Sequence, residues 1–346
     1  MDRRRRRRLI YGIAAGVALS LLSQALHRAR RRRYRLAHHI NRETWEALQD
    51  LPVPARSDYL TVGNVRLHTV LAGPEDGPLV VLLHGFPENW YSWRHQIPLL
   101  VDLGYRVAVP DQRGYNLSDK PDPLFAYALD RLTGDVMGLI RALKREKATI
   151  VGHDWGGVVA WRFAMDYPEA VARLVVMNAP HPAAYARELR EGWEQRLKSW
   201  YALFFQIPLL PEALLGFSPR ATARLFFERM VEREGAFSEQ DLVYMATALA
   251  QPGALRTMIN WYRAALRRRK SYAARPIETP TLLIWGEEDP ALTKALTYDL
   301  TGWVPHLRVR YVLNCGHWVQ NEAPEEVNAE LRDFFNPLHD RVQNYP

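Results

Sequence analysis

The hydrophobic positions along the chain fall into short runs that predict a layered α/β protein. YLTVGN and VRLHTVLAG alternate apolar and polar positions around Gly63-Asn64, which predicts a β-hairpin. Six later runs are continuously apolar and rich in β-branched residues, as in strands that are covered on both faces. They are PLVVLLHG, YRVAVPD, ATIVGH, RLVVMNAP, TLLIWG and LRVRYVLN. Helix-like segments separate most of these runs, so the pattern predicts a mostly parallel, eight-stranded sheet with helices on both faces.

The alternation stops between RLVVMNAP and TLLIWG. Residues 182–275 have a helical pattern and are aromatic and rich in arginine. We expect them to form an all-helical cap over the carboxyl edge of the sheet, where ligands bind in this architecture. The core then comprises residues 55–181 and 276–340, and residues 36–54 form a linker with a short amphipathic helix that Leu51-Pro-Val-Pro54 breaks.

The first 35 residues have a different character. They contain twelve arginines and a single acidic residue, Asp2, whereas residues 9–26 read LIYGIAAGVALSLLSQAL without a charge. An eighteen-residue helix is about 27 Å long, enough to cross the bilayer core. We therefore expect residues 9–26 to be an uncleaved, single-pass membrane anchor, with a cleaved signal peptide and a buried core helix as alternatives. Arginines flank the segment on both sides, so the charge pattern assigns no orientation.

The charge of the chain is concentrated in this N-terminal segment. The formal net charge is +8 and the sequence pI is about 9.6, but residues 1–35 carry roughly +11, which leaves a mildly acidic remainder. The high pI therefore does not indicate nucleic-acid binding, and we expect no nucleic-acid partner. Cys315 is the only cysteine of the chain, which excludes a disulfide within one chain.

A glycine-rich turn is the first candidate for chemistry. VGHDWGG, residues 151–157, lies between a predicted strand and a predicted helix. The spacing Gly152-x-Asp154-x-Gly156 is that of a nucleophile elbow, whose tight turn leaves no room for side chains beside the nucleophile. The central residue is an aspartate instead of the usual serine. An aspartate that caps the following helix is the structural alternative.

Two further loops follow predicted parallel strands. His84-Gly-Phe-Pro87 follows PLVVLL, where such folds supply one N–H group to an oxyanion, and Trp155, next to the elbow residue, supplies the other. His317 follows LRVRYVLN, the position of a triad histidine, and a loop histidine with a structural role is its alternative. Because the carboxyl ends of parallel strands meet at one edge, we expect these loops to converge.

The third member of the triad should lie between the nucleophile and the histidine in the chain. Glu287, Glu288 and Asp289 follow TLLIWG, and any of them could serve or be a surface charge. The other position for the acid follows RLVVMN and holds Asn178, which cannot carry a charge. The loop after TLLIWG is therefore preferred.

HGFPENWYSW, GHDWGG, WGEEDPAL and CGHWVQNEAPEEV resemble the motifs of the epoxide hydrolases of the α/β-hydrolase fold. The resemblance covers about residues 55–340, and the N-terminal segment is similar to that of the membrane-anchored members. It implies an α/β-hydrolase fold with an inserted helical cap, in which two tyrosines hold the epoxide oxygen. The matching segments, WYALFFQIP and NWYR, nominate Tyr201 and Tyr262. One departure is Asn116, where the family often has glycine; asparagine also tolerates a positive φ.

The resemblance implies a reaction in two steps that needs no metal and no organic cofactor. In the first step, the ionised Asp154 attacks an epoxide carbon while Tyr201 and Tyr262 donate a proton to the opening oxygen. In the second step, a water molecule hydrolyses the resulting ester. The expected substrate is a small lipophilic epoxide, and the product is a vicinal diol.

The second step uses the remaining candidates. His317, oriented by Asp289, takes a proton from the water that attacks the ester. The negative charge that develops on Asp154 then faces the N–H groups of Phe86 and Trp155.

Other functions fit parts of the pattern. A haloalkane or haloacid dehalogenase also uses an aspartate nucleophile on this scaffold, but paired phenols suit an alkoxide better than a halide. A carboxylesterase would need a serine at the elbow. A catalytically silent, membrane-anchored binding protein would not require the full set of site residues. Cys315 has no elbow around it, so we interpret it as a packing residue.

Overall fold

The computed structural model describes residues 41–267 and 273–336. Eight strands form one sheet in the order β1-β2-β4-β3-β5-β6-β7-β8. They are β1 (Ala55–Val62), β2 (Val65–Ala72), β3 (Leu79–Leu83), β4 (Arg106–Pro110), β5 (Ala148–His153), β6 (Val171–Met177), β7 (Thr281–Gly286) and β8 (Leu307–Val312). The predicted α/β-hydrolase fold with an eight-stranded sheet is confirmed.

The sheet is antiparallel only at one end. β1 and β2 form the predicted hairpin, with Val62 paired to Val65 and Gly63 at φ 56°. β2 also pairs antiparallel with β4, and every later pair is parallel. β1 begins at Ala55, before the YLTVGN run that the sequence pattern indicates. The first residues of the strand are not recognisable from the sequence because its partly exposed face carries polar side chains.

The central strands are buried along their whole length, as their apolar runs predict. Every residue of β3, β4, β5 and β7 is buried. β8, at the edge of the sheet, is partly exposed. Burial on both faces is what a continuous apolar run without alternation requires.

Helices connect the strands and cover the sheet. Outside the cap they are α1 (Arg42–Gln49), α2 (Gln96–Asp102), α3 (Leu129–Ala142), α4 (Trp155–Asp166), α12 (Val319–Glu322) and α13 (Pro324–Phe335). Short 3-10 helices lie at Trp90–Trp93, Leu124–Tyr127, Pro168–Ala170 and Lys294–Thr297. α4 is the helix that follows the predicted elbow, and it packs against β5 and β6.

Seven helices lie between β6 and β7 in the described part of the chain. They are α5 (Pro182–Glu191), α6 (Trp193–Lys198), α7 (Trp200–Phe204), α8 (Leu210–Gly216), α9 (Pro219–Phe227), α10 (Glu239–Ala250) and α11 (Ala254–Arg267). They form the cap, and hydrogen bonds tie it to the loops at the carboxyl edge. The indole of Trp261 donates to the carbonyl of Arg113 at 3.1 Å, and Lys198 donates to the carbonyl of Asp289 at 2.9 Å. These contacts hold α6 and α11 over the ends of the strands.

The segment predicted as a membrane anchor, residues 9–26, lies outside the described residues. Among residues 41–267 and 273–336, no helix combines the length and the apolar character needed to cross a membrane.

Candidate active site

Asp154 occupies the sharp turn between β5 and α4. Its backbone has φ 48° and ψ −120°, a region that residues with a side chain rarely occupy and that recurs at functional sites. A Cβ atom added to Gly152 would lie 2.4 Å from the carbonyl oxygen of Gly156, and one added to Gly156 would lie 2.0 Å from that of Leu83. The prediction that this turn needs glycine neighbours is therefore confirmed.

The Asp154 carboxylate binds a neighbouring loop and does not cap the helix that follows it. Although Asp154 stands at the N-cap position, its side chain makes no capping hydrogen bond to the described helix α4. Instead, the backbone N–H of Phe86 donates to Asp154 Oδ1 at 2.7 Å. Trp155 is the first residue of α4, so its N–H group belongs to the helix end that has no acceptor within the helix and favours negative charge.

His317 connects the nucleophile candidate to a buried carboxylate. Its Nε2 lies 3.6 Å from Asp154 Oδ2, and its Nδ1 lies 2.6 Å from Asp289 Oδ2. The side chains of His317 and Asp289 are only 7% and 0% exposed. The structure thus brings Asp154, His317 and Asp289 together from the ends of β5, β8 and β7.

The two carboxylates change the protonation of the imidazole. Burial alone would lower the pKa of His317, but Asp289 and Asp154 on its two sides raise it well above its usual value. Burial alone would raise the pKa of Asp289, but the adjacent His317 lowers it. The free site therefore favours an imidazolium between two carboxylates.

The structure also distinguishes the three acidic residues after β7. Glu287 forms an ion pair with Lys294, and Glu288 is exposed. Only Asp289 is buried against the histidine. Its Oδ1 accepts hydrogen bonds from the N–H groups of Ala291 at 2.7 Å and Leu292 at 2.9 Å, which fix the carboxylate plane.

Asn178 has a part in the site that its sequence position did not indicate. Its amide nitrogen donates to Asp289 Oδ2 at 2.7 Å, while its oxygen accepts from the N–H of Gly286 at 2.9 Å. Asn178 therefore orients the Asp289 carboxylate, the candidate for the triad acid. Its φ of 39° turns the chain after β6 toward β7.

Tyr201 on α7 and Tyr262 on α11 meet above the elbow. Their ring centroids are 5.9 Å apart and their planes are nearly perpendicular. Tyr262 also packs edge-on against Trp155, with centroids 4.9 Å apart, and against Phe86 at 5.3 Å. Burial raises the pKa of both phenols well above the usual value, and the charge of Asp154 raises it further. Both side chains therefore remain protonated and able to donate at neutral pH.

A buried Glu88–His153 pair lies beside Asp154, and sequence reasoning did not identify it. Glu88 Oε2 accepts from the N–H of Gly85 at 2.6 Å and lies 2.7 Å from His153 Nδ1. The other ring nitrogen of His153 lies 2.8 Å from the carbonyl oxygen of His317. Burial would raise the pKa of Glu88, but His153 lowers it to about 2. The pair therefore connects the loop after β3, the turn at Asp154 and the loop that carries His317.

The sequence contains a signal for this pair in HGFPENWYSW and GHDWGG. Glu88 is a charged residue in an otherwise apolar and aromatic stretch, HGFPENWYSW. His153 precedes Asp154 directly at the end of an apolar strand. Buried ionisable residues of this kind need polar partners. That Glu88 and His153 are partners becomes apparent only in the folded structure.

Two smaller predictions are resolved at the same edge. Cys315 is fully buried, and burial raises the pKa of its thiol to about 12, which agrees with its interpretation as a packing residue. Asn116 has φ 36°, so the prediction that it accepts a positive φ is confirmed.

Comparisons with known proteins agree with this geometry. A family profile described as alpha/beta hydrolase fold matches residues 78–324. The chain is 42% identical over 281 residues to the AB hydrolase superfamily protein YfhM of Bacillus subtilis (strain 168), covering 81% of this chain and 97% of that protein. It is 39% identical over 284 residues to epoxide hydrolase 1 of Caenorhabditis elegans, covering 81% of this chain and 70% of that protein.

A similar solved structure is a variant of an epoxide hydrolase from Bacillus megaterium in complex with its product, a naphthyloxy-propane-diol. It superimposes with a TM-score of 0.74 at 30% identity, over 81% of this chain and 100% of that chain. The chain therefore belongs to the alpha/beta hydrolase family, in the group that contains these epoxide hydrolases.

Proposed function

We propose that this enzyme hydrolyses lipophilic epoxides to vicinal diols through a covalent ester on Asp154. The observation that carries the proposal is the setting of the Asp154 carboxylate: it accepts a hydrogen bond from Phe86 and faces His317, and its charge acts on two protonated phenols. The relatives named epoxide hydrolases, and the diol bound to the enzyme from Bacillus megaterium, support the same reaction.

In the first step, Oδ2 of Asp154 attacks an epoxide carbon, and the bond between that carbon and the ring oxygen breaks. Oδ1 remains on the Phe86 N–H and becomes the carbonyl oxygen of the ester. A phenol, from Tyr201 or Tyr262, donates a proton to the departing oxygen. Proton donation of this kind contributes about 10²–10⁴-fold in rate.

Ester formation then changes His317. It removes the negative charge of Asp154, one of the two charges that raise the pKa of the imidazole. The imidazolium can therefore release its proton, which restores the phenol, and its Nε2 becomes a base. Asp289, at 2.6 Å from Nδ1, keeps the ring in the tautomer that leaves Nε2 free.

In the second step, His317 takes a proton from water, whose oxygen attacks the carbonyl carbon of Asp154. Charge develops on Oδ1, which accepts from the Phe86 N–H at 2.7 Å, and the Trp155 N–H at the start of α4 is the second donor of the proposed oxyanion site; each such donor contributes about 3–4 kcal/mol. The bond between this carbon and Oδ2 breaks, and the diol leaves with Oδ2 and a proton from His317. The carboxylic acid returns its remaining proton to the imidazole, so the water is fully accounted for.

A single turnover in ¹⁸O-labelled water tests the ester. Because the water oxygen enters the carboxylate, we expect the label in the peptide that contains Asp154 and not in the diol formed first. Asp154→Ala is the matched control and should abolish diol formation. Label in the first diol, with an unlabelled peptide, would show direct attack by water and end the proposal.

The two alternative functions, a dehalogenase and a silent binding protein, gain no support from the reported relatives. A halide needs N–H donors, whereas the two phenols here suit a developing alkoxide. Release of chloride from a haloalkane, measured beside formation of diol from styrene oxide, separates the first alternative from the proposal.

We also propose that the N-terminal segment anchors the enzyme to a membrane. The support is the uncharged stretch of residues 9–26 between two arginine clusters. In the full chain, a spanning anchor should resist extraction of the enzyme from membranes by alkaline carbonate, and removal of residues 1–35 should make the enzyme extractable with its activity retained. A truncated enzyme that resists extraction as the full chain does would exclude an anchor in this segment.

A further inference from the structure

Exposed large apolar side chains are concentrated in one part of the cap. Sixteen large apolar side chains are exposed in the described residues, and nine of these lie within residues 193–217. Trp193, Trp200 and Leu203 are 68%, 64% and 67% exposed, Leu209 is 73% exposed, and Phe217 is 92% exposed. Single exposed apolar residues are ordinary, but a concentrated set marks a contact with a partner or a lipid surface. We refer to residues 193–217 as the outer cap surface.

This surface belongs to a well-held part of the structure. The guanidinium of Arg263 donates to the carbonyls of Phe205 at 2.8 Å and Ile207 at 2.9 Å, and it pairs with Glu212. These bonds fix the end of α7, the following loop and α8 on α11. The exposed side chains are therefore displayed by a fixed backbone.

The two sides of α7 face different environments. Tyr201 packs toward Tyr262, and the buried Phe205 packs against Phe86 with centroids 5.4 Å apart. Trp200 and Leu203, on the same turn of chain, are exposed. The outer cap surface is thus the reverse side of the segment that carries a candidate catalytic phenol.

The charge pattern indicates what covers this surface. From residue 199 to residue 219 the only charged residue is Glu212, and Arg263 neutralises it. Charged residues follow at the edges: Arg196 is exposed on one side beside the Lys198–Glu194 pair, and Arg220, which pairs with Glu239, is exposed on the other. Exposed Arg267 donates to Gln206 at 3.0 Å beside the centre. Tryptophan, phenylalanine and leucine bordered by arginine are the composition of surfaces that lie in the bilayer interface.

The sequence outside the described residues adds a second indication. The twelve arginines of residues 1–35 attract the chain to anionic headgroups, at about 1 kcal/mol for each basic residue near the surface. A bilayer is therefore favoured over a second copy of the chain, because anionic headgroups attract the N-terminal arginines while the interfacial region takes up the apolar side chains.

We propose that the outer cap surface docks on a lipid bilayer with anionic headgroups, and that its apolar side chains enter the interfacial region. Docking of this kind does not depend on the proposed reaction and should persist in the Asp154→Ala variant. It would place the cap of the enzyme in contact with the phase in which lipophilic molecules dissolve.

The test uses a fluorophore attached to single cysteines in the full chain. Cys315 is buried and its thiol pKa is raised to about 12, so it reacts slowly and leaves introduced cysteines to be labelled. Leu203→Cys and Phe217→Cys report on the outer cap surface. Leu313→Cys is the matched control, since Leu313 is 65% exposed, and Asp76→Cys reports on the opposite, amino-terminal edge of the sheet.

On vesicles of phosphatidylcholine and phosphatidylglycerol, we expect a blue shift at positions 203 and 217, with quenching by brominated acyl chains. Positions 313 and 76 should not respond. Aqueous emission at 203 and 217 in vesicle-bound enzyme would refute docking through this surface. A blue shift without lipid that grows with protein concentration would instead identify a second copy. A blue shift without lipid that does not depend on protein concentration and is lost on removal of residues 1–35 would identify the N-terminal segment as the occupant.

Discussion

Replacement of Asp289 by asparagine should separate the two steps of the reaction. Asp289 Oδ1 accepts two backbone N–H groups, from Ala291 and Leu292, so the oxygen of the new side chain should occupy this position. The amide nitrogen then faces His317 Nδ1, at the 2.6 Å contact that Oδ2 now makes. Because the amide nitrogen is a donor, His317 Nδ1 must become the acceptor. Its proton moves to Nε2, and the ring can no longer take a proton from water.

The size of the effect follows from this tautomer. In other hydrolytic triads the equivalent change lowers kcat by about 10⁴-fold, which corresponds to about 5.4 kcal/mol of transition-state stabilisation. We expect this loss in hydrolysis of the ester. Attack by Asp154 on the epoxide needs no base, so formation of the ester should change by less than about tenfold. The amide of Asn178 loses its acceptor at 2.7 Å, so stability should fall by about 1–3 kcal/mol.

Rapid-mixing kinetics measure the two steps. Tryptophan fluorescence should report ester formation, since Trp155 adjoins Asp154, and Asp289→Asn should show a burst of one ester per enzyme followed by very slow turnover. Mass spectrometry of the quenched enzyme would identify the adduct. Glu288→Gln, on the same loop but exposed, is the matched control and should retain normal turnover. Equal losses in both steps, without an accumulating ester, would refute the assignment of Asp289.

Three further predictions test the surroundings of Asp154. Tyr201→Phe and Tyr262→Phe should each slow ester formation by about 10–100-fold, and the double variant by about 10²–10⁴-fold, in single-turnover kinetics; an unchanged rate in the double variant would exclude phenolic acid catalysis. Glu88→Gln removes a buried carboxylate that accepts a hydrogen bond from Gly85 and contacts His153, and it should lower the free energy of unfolding in urea by about 3–5 kcal/mol, whereas the exposed Glu75→Gln should have no measurable effect. The raised pKa of His317 implies that its stabilising ion pairs are complete below its unfolded pKa of about 6.5 and are lost as pH rises through the folded value. The stability advantage of the wild type over His317→Gln should therefore shrink from pH 6 to pH 9, and an advantage that grows with pH would contradict the imidazolium.

The strand pattern could be predicted well because burial on both faces leaves a strong record in sequence. β3, β5 and β7 are largely apolar runs that predict buried strands. Their parallel pairing follows from the helical segments between them. The site residues follow from the same topology. Asp154 directly follows β5, Asp289 and His317 lie in the loops after β7 and β8, and the sheet order brings those strand ends to one edge.

The choice among neighbouring polar residues could not be made in this way. Glu287, Glu288 and Asp289 are adjacent in sequence, and only the turn after β7 decides that the third side chain is buried. Lack of charge argues against Asn178 as the triad acid, yet its amide donates to Asp289 and accepts from the N–H of Gly286. Such residues act through hydrogen bonds that form only in the folded chain: Asp289 bonds to His317 from the next strand loop and to Asn178, 111 residues away in the chain.

The cap shows the same limit at the level of a surface. Its helices could be predicted as aromatic and placed over the sheet, but an aromatic pattern does not distinguish side chains that line a site from those that face outward. Tyr201 and Trp200 are consecutive in sequence, yet one packs on Tyr262 and the other is 64% exposed. The hydrogen bonds of Arg263 to the carbonyls of Phe205 and Ile207, just after α7, hold the helix in the orientation that separates the two side chains. The function of the cap therefore divides between its two faces, with proton donors toward Asp154 and apolar side chains toward the proposed bilayer.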